Sequence, residues 1–247
     1  MQYLFKFIKL LAFAGAVMFL SSCDKSDDDI VSGTAKVTVT NASPDAPAVD
    51  VYVDNVKITD TQLGFATTTG MPGSPYLTVD AGTRNVRISA NGTINVTQGN
   101  VPFSPNVTYS IFVFDTLSTT ATLKGLVLAD SLTAPAAGKS HIRFLHLSPD
   151  ADTIDIDFAK VNDTTPLTDK RYYGRATNAD PGLATFLPIN AGVYTINIMK
   201  ANTKTPVLAT LQFTFAEGKI YTVYAAGLRA AAQGSPLALH SRVILHN

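Results

Sequence analysis

Short runs in which apolar and polar residues alternate recur along most of the chain. In one of them Val49, Val51 and Val53 alternate with Asp50 and Tyr52. An alternation with a period of two predicts a β-strand that turns one face to a core and the other to solvent. Beyond the N-terminal region no window keeps the 3.6-residue period of an amphipathic helix. The pattern therefore predicts an all-β protein.

The strand and turn signals occur twice in the same order. Residues 36–46, Lys-Val-Thr-Val-Thr-Asn-Ala-Ser-Pro-Asp-Ala, correspond to residues 141–151, His-Ile-Arg-Phe-Leu-His-Leu-Ser-Pro-Asp-Ala. An Ala-Gly turn with its following strand occurs at residues 80–88 and again at 190–198. A later strand that contains tyrosine occurs at 107–113 and again at 219–225. Such a repeat indicates a duplicated unit. We expect two tandem immunoglobulin-like antiparallel β-sandwich repeats.

The domain organisation follows from the repeat and the N-terminal signals. We predict a signal peptide over residues 1–22, a lipidated cysteine with an acidic tether over 23–34, a first β-sandwich over 35–134 and a second, diverged one over 139–247. The short Pro-Ala-Ala-Gly link between the sandwiches carries no strand signal. Whether strands cross this link and merge the two repeats stays open.

Each repeat contains a Ser-Pro-Asp turn followed by an alternating strand with a central aspartate. Proline fixes φ near −65° at the second turn position, and the Ser and Asp side chains bond to nearby backbone. We therefore expect a structural role for these residues. They are Ser43, Pro44, Asp45 and Asp50 in the first repeat and Ser148, Pro149, Asp150 and Asp155 in the second.

Residues 43–53, Ser-Pro-Asp-Ala-Pro-Ala-Val-Asp-Val-Tyr-Val, resemble the hallmark of a bacterial domain of unknown function, DUF4397. The resemblance covers residues 35 to about 130, and residues 140–228 resemble a second, diverged copy. It implies a β-sandwich in a secreted or lipid-anchored protein. It implies no activity, because none is established for the family.

The N-terminus carries the three parts of a secretory signal. Lys6 and Lys9 precede an apolar run over residues 10–20, and Ser21 and Ser22 follow it. The apolar run is too short for a bilayer span, which needs about 20 apolar residues. We expect export.

Residues 20–23, Leu-Ser-Ser-Cys, resemble the lipobox of bacterial lipoproteins. The resemblance implies that Cys23 receives the lipid and becomes the first residue of the mature chain. Cys23 is the only cysteine, so the mature fold has no internal disulfide. Several acyl chains anchor a protein firmly, at about 0.8 kcal/mol per buried CH₂.

The acidic run after the anchor resembles the surface-export signal of Bacteroidota lipoproteins. Its residues are Lys25, Ser26, Asp27, Asp28 and Asp29. The resemblance implies an outer-membrane lipoprotein that faces the outside of the cell. An aspartate directly after the cysteine, here Asp24, retains lipoproteins at the inner membrane in some other bacteria, which is the alternative address.

Charge argues against two classes of partner. The chain has 19 basic and 19 acidic residues, and removal of Lys6 and Lys9 with the signal leaves a small negative excess. No basic stripe indicates nucleic-acid binding, and no basic patch indicates an anionic membrane surface. The lipid anchor is the expected link to the membrane.

Candidate catalytic and metal residues are few. His146, Ser148 and Asp150 are close in sequence, but neighbours on one strand rarely form a triad, so we predict no catalytic residue. Asp155 and Asp157 share a strand face and offer oxygen ligands, while His141 and His146 offer nitrogen ligands. Neither set has the spacing of a known calcium loop or zinc site, so we predict no metal and no cofactor.

A basic, tyrosine-rich segment, Lys170-Arg171-Tyr172-Tyr173, has no counterpart of this length in the first repeat. It could bind a glycan or protein, although packing of its rings on the core is the favoured interpretation. We expect a non-enzymatic binding or structural module of the cell envelope, with a protein or glycan ligand. The alternatives are an extracellular hydrolase of envelope or environmental polymers and an accessory subunit of an envelope complex.

Overall fold

In the computed structural model the first repeat consists of two facing sheets. Its strands are β1 (Thr34–Asn41), β2 (Val49–Val53), β3 (Val56–Lys57), β4 (Thr67–Thr68), β5 (Leu77–Asp80), β6 (Gly82–Ala90), β7 (Ile94–Phe103), β8 (Thr108–Phe114) and β9 (Lys124–Asp130). One sheet has the order β4-β1-β8-β9, with β5 also paired to β1, and the other has the order β3-β2-β6-β7.

The second repeat has the same topology. Its strands are β10 (Lys139–His146), β11 (Ile154–Lys160), β12 (Leu167–Asp169), β13 (Leu187–Asn190), β14 (Gly192–Lys200), β15 (Leu211–Phe215), β16 (Ile220–Ala226) and β17 (His240–Leu245), with a 3₁₀ turn at Pro181–Ala184. The sheets have the orders β13-β10-β16-β17 and β12-β11-β14-β15. Every described strand of the first repeat except β4 has a counterpart here.

The structure describes most of the chain beyond the N-terminal region. The described residues are 31–117, 123–160, 181–203, 205–208 and 210–247, with the backbone of 167–169. Four features predicted from sequence lie outside them: the signal peptide, Cys23, the run 25–29 and the segment 170–173. Within the described part, no helix has the length and apolar character needed to cross a membrane.

The all-β, sandwich-like class is confirmed, and one detail is added to the antiparallel prediction. In each repeat the first strand pairs in parallel with the seventh strand of the shared pattern, as β1 with β8 and β10 with β16. The chain passes through the opposite sheet between these two strands, so it can return in the same direction. The other strand pairs are antiparallel.

A tyrosine at the start of the parallel partner strand has the same contact in both repeats. The Tyr109 hydroxyl accepts a hydrogen bond from the Ser104 N–H at 2.9 Å, and the Tyr221 hydroxyl accepts one from the Ala216 N–H at 3.1 Å. Each bond fixes the turn that precedes the strand, as in the tyrosine corner of other sandwiches. The duplication therefore extends to side-chain contacts.

The core of the first repeat follows the alternation in the sequence. Val49, Val51 and Val53 of β2 are buried, and they pack in the same cluster as Val37 and Ile111 from the facing sheet. The two sheets thus enclose one apolar layer, as sandwiches do.

A second apolar layer joins the two repeats. Phe112 and Leu126 lie on the outer face of the first sandwich, yet both are fully buried, in one cluster with Phe144 and Tyr224 of the second repeat. The rings of Phe112 and Tyr224 meet edge to face at 6.0 Å between centroids. No sheet crosses the link among the described strands, so the repeats join through side chains, within one compact unit, Val31–Asn247.

Candidate functional site

The second repeat has longer connections than the first at one edge of its sandwich. The connection between β14 and β15 spans residues 201–210, whereas the matching connection between β6 and β7 spans 91–93. The connection between β16 and β17 spans 227–239, against 115–123 between β8 and β9. The two longer connections border a cavity of about 820 Å³.

A second cavity, of about 550 Å³, lies along the same pair of strands. Leu211 of β15 with Ser241 and Arg242 of β17 line the first cavity, while Phe213 and the final residues of β17 line the second. The segment 67–75 of the first repeat forms the opposite wall of the second cavity. We call the two cavities together the edge groove, bounded by β15, β17, the β16–β17 connection and residues 67–75.

Strand β17 presents backbone groups to this groove. It is the last strand of its sheet and pairs only with β16 among the described strands. The His246 N–H donates to the Ile220 carbonyl oxygen at 2.9 Å, so by antiparallel alternation the backbone groups of Ser241 and Val243 point away from β16. The Leu245 carbonyl, on this outer side, accepts a bond from the Gly73 N–H at 3.1 Å. The edge is therefore capped at Leu245.

Positive charge at the groove comes from two arginines. Arg229 pairs with Asp152 at 3.0 Å between Nη1 and Oδ2. Arg242 is exposed and makes no ion pair with any described residue. None of the described residues that line the larger cavity is acidic. The arrangement suits a ligand group with negative charge near Arg242.

His240 and Ser241 add polar groups to the wall of the larger cavity. The Nδ1 of His240 lies 2.8 Å from the Ala238 carbonyl oxygen, which fits a neutral ring that donates from Nδ1. Burial, with a smaller contribution from the charge of Arg242, lowers the pKa of His240. Its Nε2 and the Ser241 hydroxyl are buried and have no hydrogen-bond partner among the described residues.

The corresponding edge of the first repeat is closed. The Leu123 N–H, just before β9, donates to the Val96 carbonyl oxygen of β7 at 3.1 Å, and the Leu123 side chain is buried in the first core. One backbone bond thus joins edge strand β7 to the residue immediately before edge strand β9. Access between β7 and β9 is blocked at the position where the second repeat opens.

The Ser-Pro-Asp turn in each repeat holds the connection that follows the parallel partner strand. The Asp45 carboxylate accepts a bond from the Leu117 N–H at 2.9 Å. The Asp150 carboxylate accepts bonds from the N–H groups of Arg229 at 2.8 Å and Ala230 at 2.9 Å. These bonds lower the pKa of Asp150 and outweigh the opposing effect of partial burial. In the second repeat the turn therefore fixes the start of the loop that borders the edge groove.

Residues 35–157 match the family model described as "Domain of unknown function (DUF4397)". This chain resembles the DUF4397 family. The resemblance expected from residues 43–53 is thereby confirmed. The match passes the link and ends within β11, so it includes both Ser-Pro-Asp turns of the DUF4397-like chain. A search of curated proteins found no match.

The aspartate in the strand after each Ser-Pro-Asp turn has different partners in the two repeats. Asp50 accepts bonds from Lys57 Nζ at 2.8 Å and Gln62 Nε2 at 3.1 Å. Burial opposes its ionisation, but these bonds outweigh burial and lower the pKa of Asp50. Asp155 accepts a bond from the Asn202 N–H at 2.8 Å. Each aspartate thus holds an adjacent connection on the outer face of its sheet.

His146 occupies the position of Asn41 and makes the same local contact. The Ser43 N–H donates to Asn41 Oδ1 at 3.1 Å, and the Ser148 N–H points to His146 Nδ1 at 3.4 Å. His146 Nε2 lies 3.1 Å from the Asp152 carbonyl oxygen. Burial lowers the pKa of His146, so the ring is neutral with its proton on Nε2.

The Ser148 hydroxyl lies 2.7 Å from the Gly227 carbonyl oxygen and 3.2 Å from Asp150 Oδ1. The nearer contact directs its proton to the carbonyl group, and His146 is engaged elsewhere. His146, Ser148 and Asp150 therefore form a turn rather than a nucleophile with its base. The Pro149 ring is buried within the same turn.

The metal candidates lie on two different sheets. Asp155 and Asp157 are on β11, while His141 and His146 are on β10 of the facing sheet. Among the residues that the structure describes, no three His, Cys, Asp or Glu side chains come together as a metal site would need.

The layer between the repeats contains a buried ion pair that the sequence did not reveal. Arg143 Nη1 and Asp130 Oδ1 are 2.7 Å apart, and both side chains are 0% exposed. Ser110 donates to Asp130 Oδ2 at 2.6 Å and accepts from Arg143 Nη2 at 2.8 Å. The position of Arg143 between Ile142 and Phe144 in a strand was the only signal for this pair.

Tyr76, Thr222 and His246 extend this buried network. The Tyr76 hydroxyl lies 2.9 Å from Asp130 Oδ2 and 2.6 Å from His246 Nδ1, and Thr222 Oγ1 lies 2.7 Å from His246 Nε2. Burial, together with the charge of Arg143, lowers the pKa of His246 to about 4, although Asp130 opposes the change. The network is largely buried, with Tyr76 at its partly exposed end, and it links the repeats, so we assign it to stability.

Proposed function

We propose that this protein is a non-enzymatic binding module of the cell envelope, held at the outer-membrane surface by a lipid on Cys23, and that its ligand occupies the edge groove. The observation that carries the proposal is the open edge of the second repeat. There, two cavities lie beside β17, a strand whose outer edge has no partner strand among those described. Binding sites commonly have this form, with apolar walls and a few polar groups.

The geometry favours binding over hydrolysis. His240 is in the wall of the groove, but its Nδ1 faces a backbone carbonyl rather than a carboxylate. Ser241 follows it on a regular strand, so the two side chains point to opposite faces of the sheet. A serine hydrolase needs the nucleophile and its base within hydrogen-bond distance. The described lining of the groove does not provide that arrangement.

Ligand capture tests the binding role. A lipid-free fragment of residues 31–247 is immobilised and exposed to solubilised envelope proteins and to a glycan array, beside the same fragment with Arg242→Glu. We expect a ligand that the unmodified fragment retains and the variant releases. Retention by both proteins would place the ligand elsewhere. No retention on either platform would contradict the binding role.

Labelling of cells tests the anchor and the address. We expect radioactive palmitate to label the full-length protein, and Cys23→Ser to abolish the label and release the protein from membranes. Protease added to intact cells should digest the lipidated protein at the surface. Replacement of Asp27, Asp28 and Asp29 by Asn should protect it. Digestion that is unchanged by this replacement would contradict the export role of the acidic run.

A further inference from the structure

The outward backbone of β17 determines what shape of ligand the groove accepts. Ser241 and Val243 direct their N–H and C=O groups away from β16, and nothing described pairs with them. Unpaired groups in a strand are a template for another strand. A compact small molecule would satisfy one or two of these groups, whereas an extended backbone satisfies all of them.

The two cavities lie one after the other along β17. The strand has six residues, His240–Leu245, and therefore spans about 20 Å. A chain that lies against β17 would contact the larger cavity near Ser241 and the second cavity, here called the apolar cavity, near Val243. The cap at Leu245, formed by Gly73, sets where such a chain must end or turn away.

The two faces of the sheet at β17 differ in chemistry. Arg242 is opposite Tyr224, which contacts the first repeat, so its guanidinium lies on the outer face. Val243 is opposite Val223 and shares the apolar cavity with Phe213 on the other face. Side chains of an added strand alternate between these faces. One set would meet an unpaired positive charge and the other set an apolar surface.

We propose that the edge groove binds an extended polypeptide segment as an added β-strand on β17, with a carboxylate of the segment against Arg242 and apolar side chains toward Phe213. This inference rests on the proposed binding function and specifies its ligand as protein. Main-chain bonds supply affinity in such complexes, and alternate side-chain contacts supply selectivity. The closed edge of the first repeat takes no strand.

The test uses synthetic heptapeptides with alternating Val and Thr and a central Asp, Lys or Ala, measured by fluorescence anisotropy with the 31–247 fragment. We expect the Asp peptides to bind about tenfold more tightly than the Lys peptides. Arg242→Gln should remove this preference. Val243→Pro should abolish binding, because proline deletes the outward N–H, whereas Val243→Thr keeps that group and should bind normally.

Methylation of the peptide backbone gives a second measurement that does not depend on the folding of a protein variant. N-methyl groups on one alternate set of amides should abolish binding, and those on the other set should leave it nearly unchanged. Equal binding of both methylated sets, or equal binding of the Asp and Lys peptides, would overturn the added strand. If no peptide binds but a glycan is retained in an Arg242-dependent manner, the binding function stands and this inference fails.

Discussion

The two repeats share one topology but differ at one edge. In the first, the N–H of Leu123, just before edge strand β9, donates to the Val96 carbonyl oxygen of edge strand β7. In the second, longer connections keep the edges apart and leave Ser241 and Val243 unpaired among the described residues. Two sandwiches can therefore share a framework and still differ at one pair of edges, which is closed in the first repeat and open in the second. Framework contacts and groove contacts should therefore respond differently to mutation.

The largest expected effect on stability concerns the buried ion pair between the two repeats. Asp130→Ala leaves the guanidinium of Arg143 buried without a counter-charge, and we expect the free energy of unfolding to fall by about 3–5 kcal/mol. Urea denaturation measures this change. Asp152→Ala, which removes the exposed pair with Arg229, serves as the control and should cost less than about 1 kcal/mol. Equal losses in the two variants would mean that the buried pair does not stabilise the joined repeats.

Acid should destabilise the same buried network by protonating His246. Its pKa is about 4 in the folded protein and 6.5 in the reference state, so the unfolded chain binds the proton more readily. Stability is therefore present above pH 6.5 and is lost as the pH falls toward 4, by roughly 2 kcal/mol between pH 7 and pH 5. Urea denaturation at each pH, compared with His246→Asn, isolates this contribution. A variant with the same pH dependence as the parent would assign the loss to other groups.

The signature turns allow a matched comparison between the repeats. Asp150 accepts two backbone bonds from the β16–β17 connection and Asp45 accepts one from the β8–β9 connection. We expect Asp150→Ala to cost about 1–2 kcal/mol and Asp45→Ala about 1 kcal/mol. Hydrogen exchange should show faster opening at Arg229 and Ala230 in the Asp150 variant alone. Unchanged exchange at these amides would contradict the role of the turn in fixing the groove loop.

The smallest expected effect concerns the central aspartates. Lys57→Met removes the cation that bonds to Asp50 and should raise the pKa of that carboxyl toward or above its ordinary value, because burial then dominates. Carbon-detected NMR titration of Asp50 measures the shift, with Lys36→Met as a control at an exposed lysine of β1. Lys36→Met should leave the pKa of Asp50 unchanged. An Asp50 pKa that is also unchanged in Lys57→Met would contradict the role of the bond from Lys57.

Local pattern was sufficient to predict the strands and the turns. The alternation over residues 49–53 gave β2 with its apolar face inward, and the Ser-Pro-Asp turns fall between the first two strands of each repeat. These features depend on neighbours in sequence, which the sequence displays directly. The all-β class followed from the same signals.

Contacts between strands that are distant in the chain could not be predicted from the sequence. Asp130 and Arg143 belong to different repeats, and only the packing of two sheet faces brings them together. The run from Ile111 to Phe114 lacks alternation because β8 is buried on both faces, and one chain alone does not show what covers the second face. The edge groove depends on which strands end each sheet, a property of topology.

The apolar layer between the repeats also bears on solubility. If the chain were cut at the Pro-Ala-Ala-Gly link, the first fragment would expose a continuous apolar patch formed by Phe112, Leu126 and Leu128. Patches of this kind promote self-association and precipitation. Asp130 would meanwhile be exposed, and water would solvate its charge in place of the ion pair with Arg143. Duplication has therefore made each copy a permanent cover for the other, and neither half is expected to remain monodisperse when expressed alone.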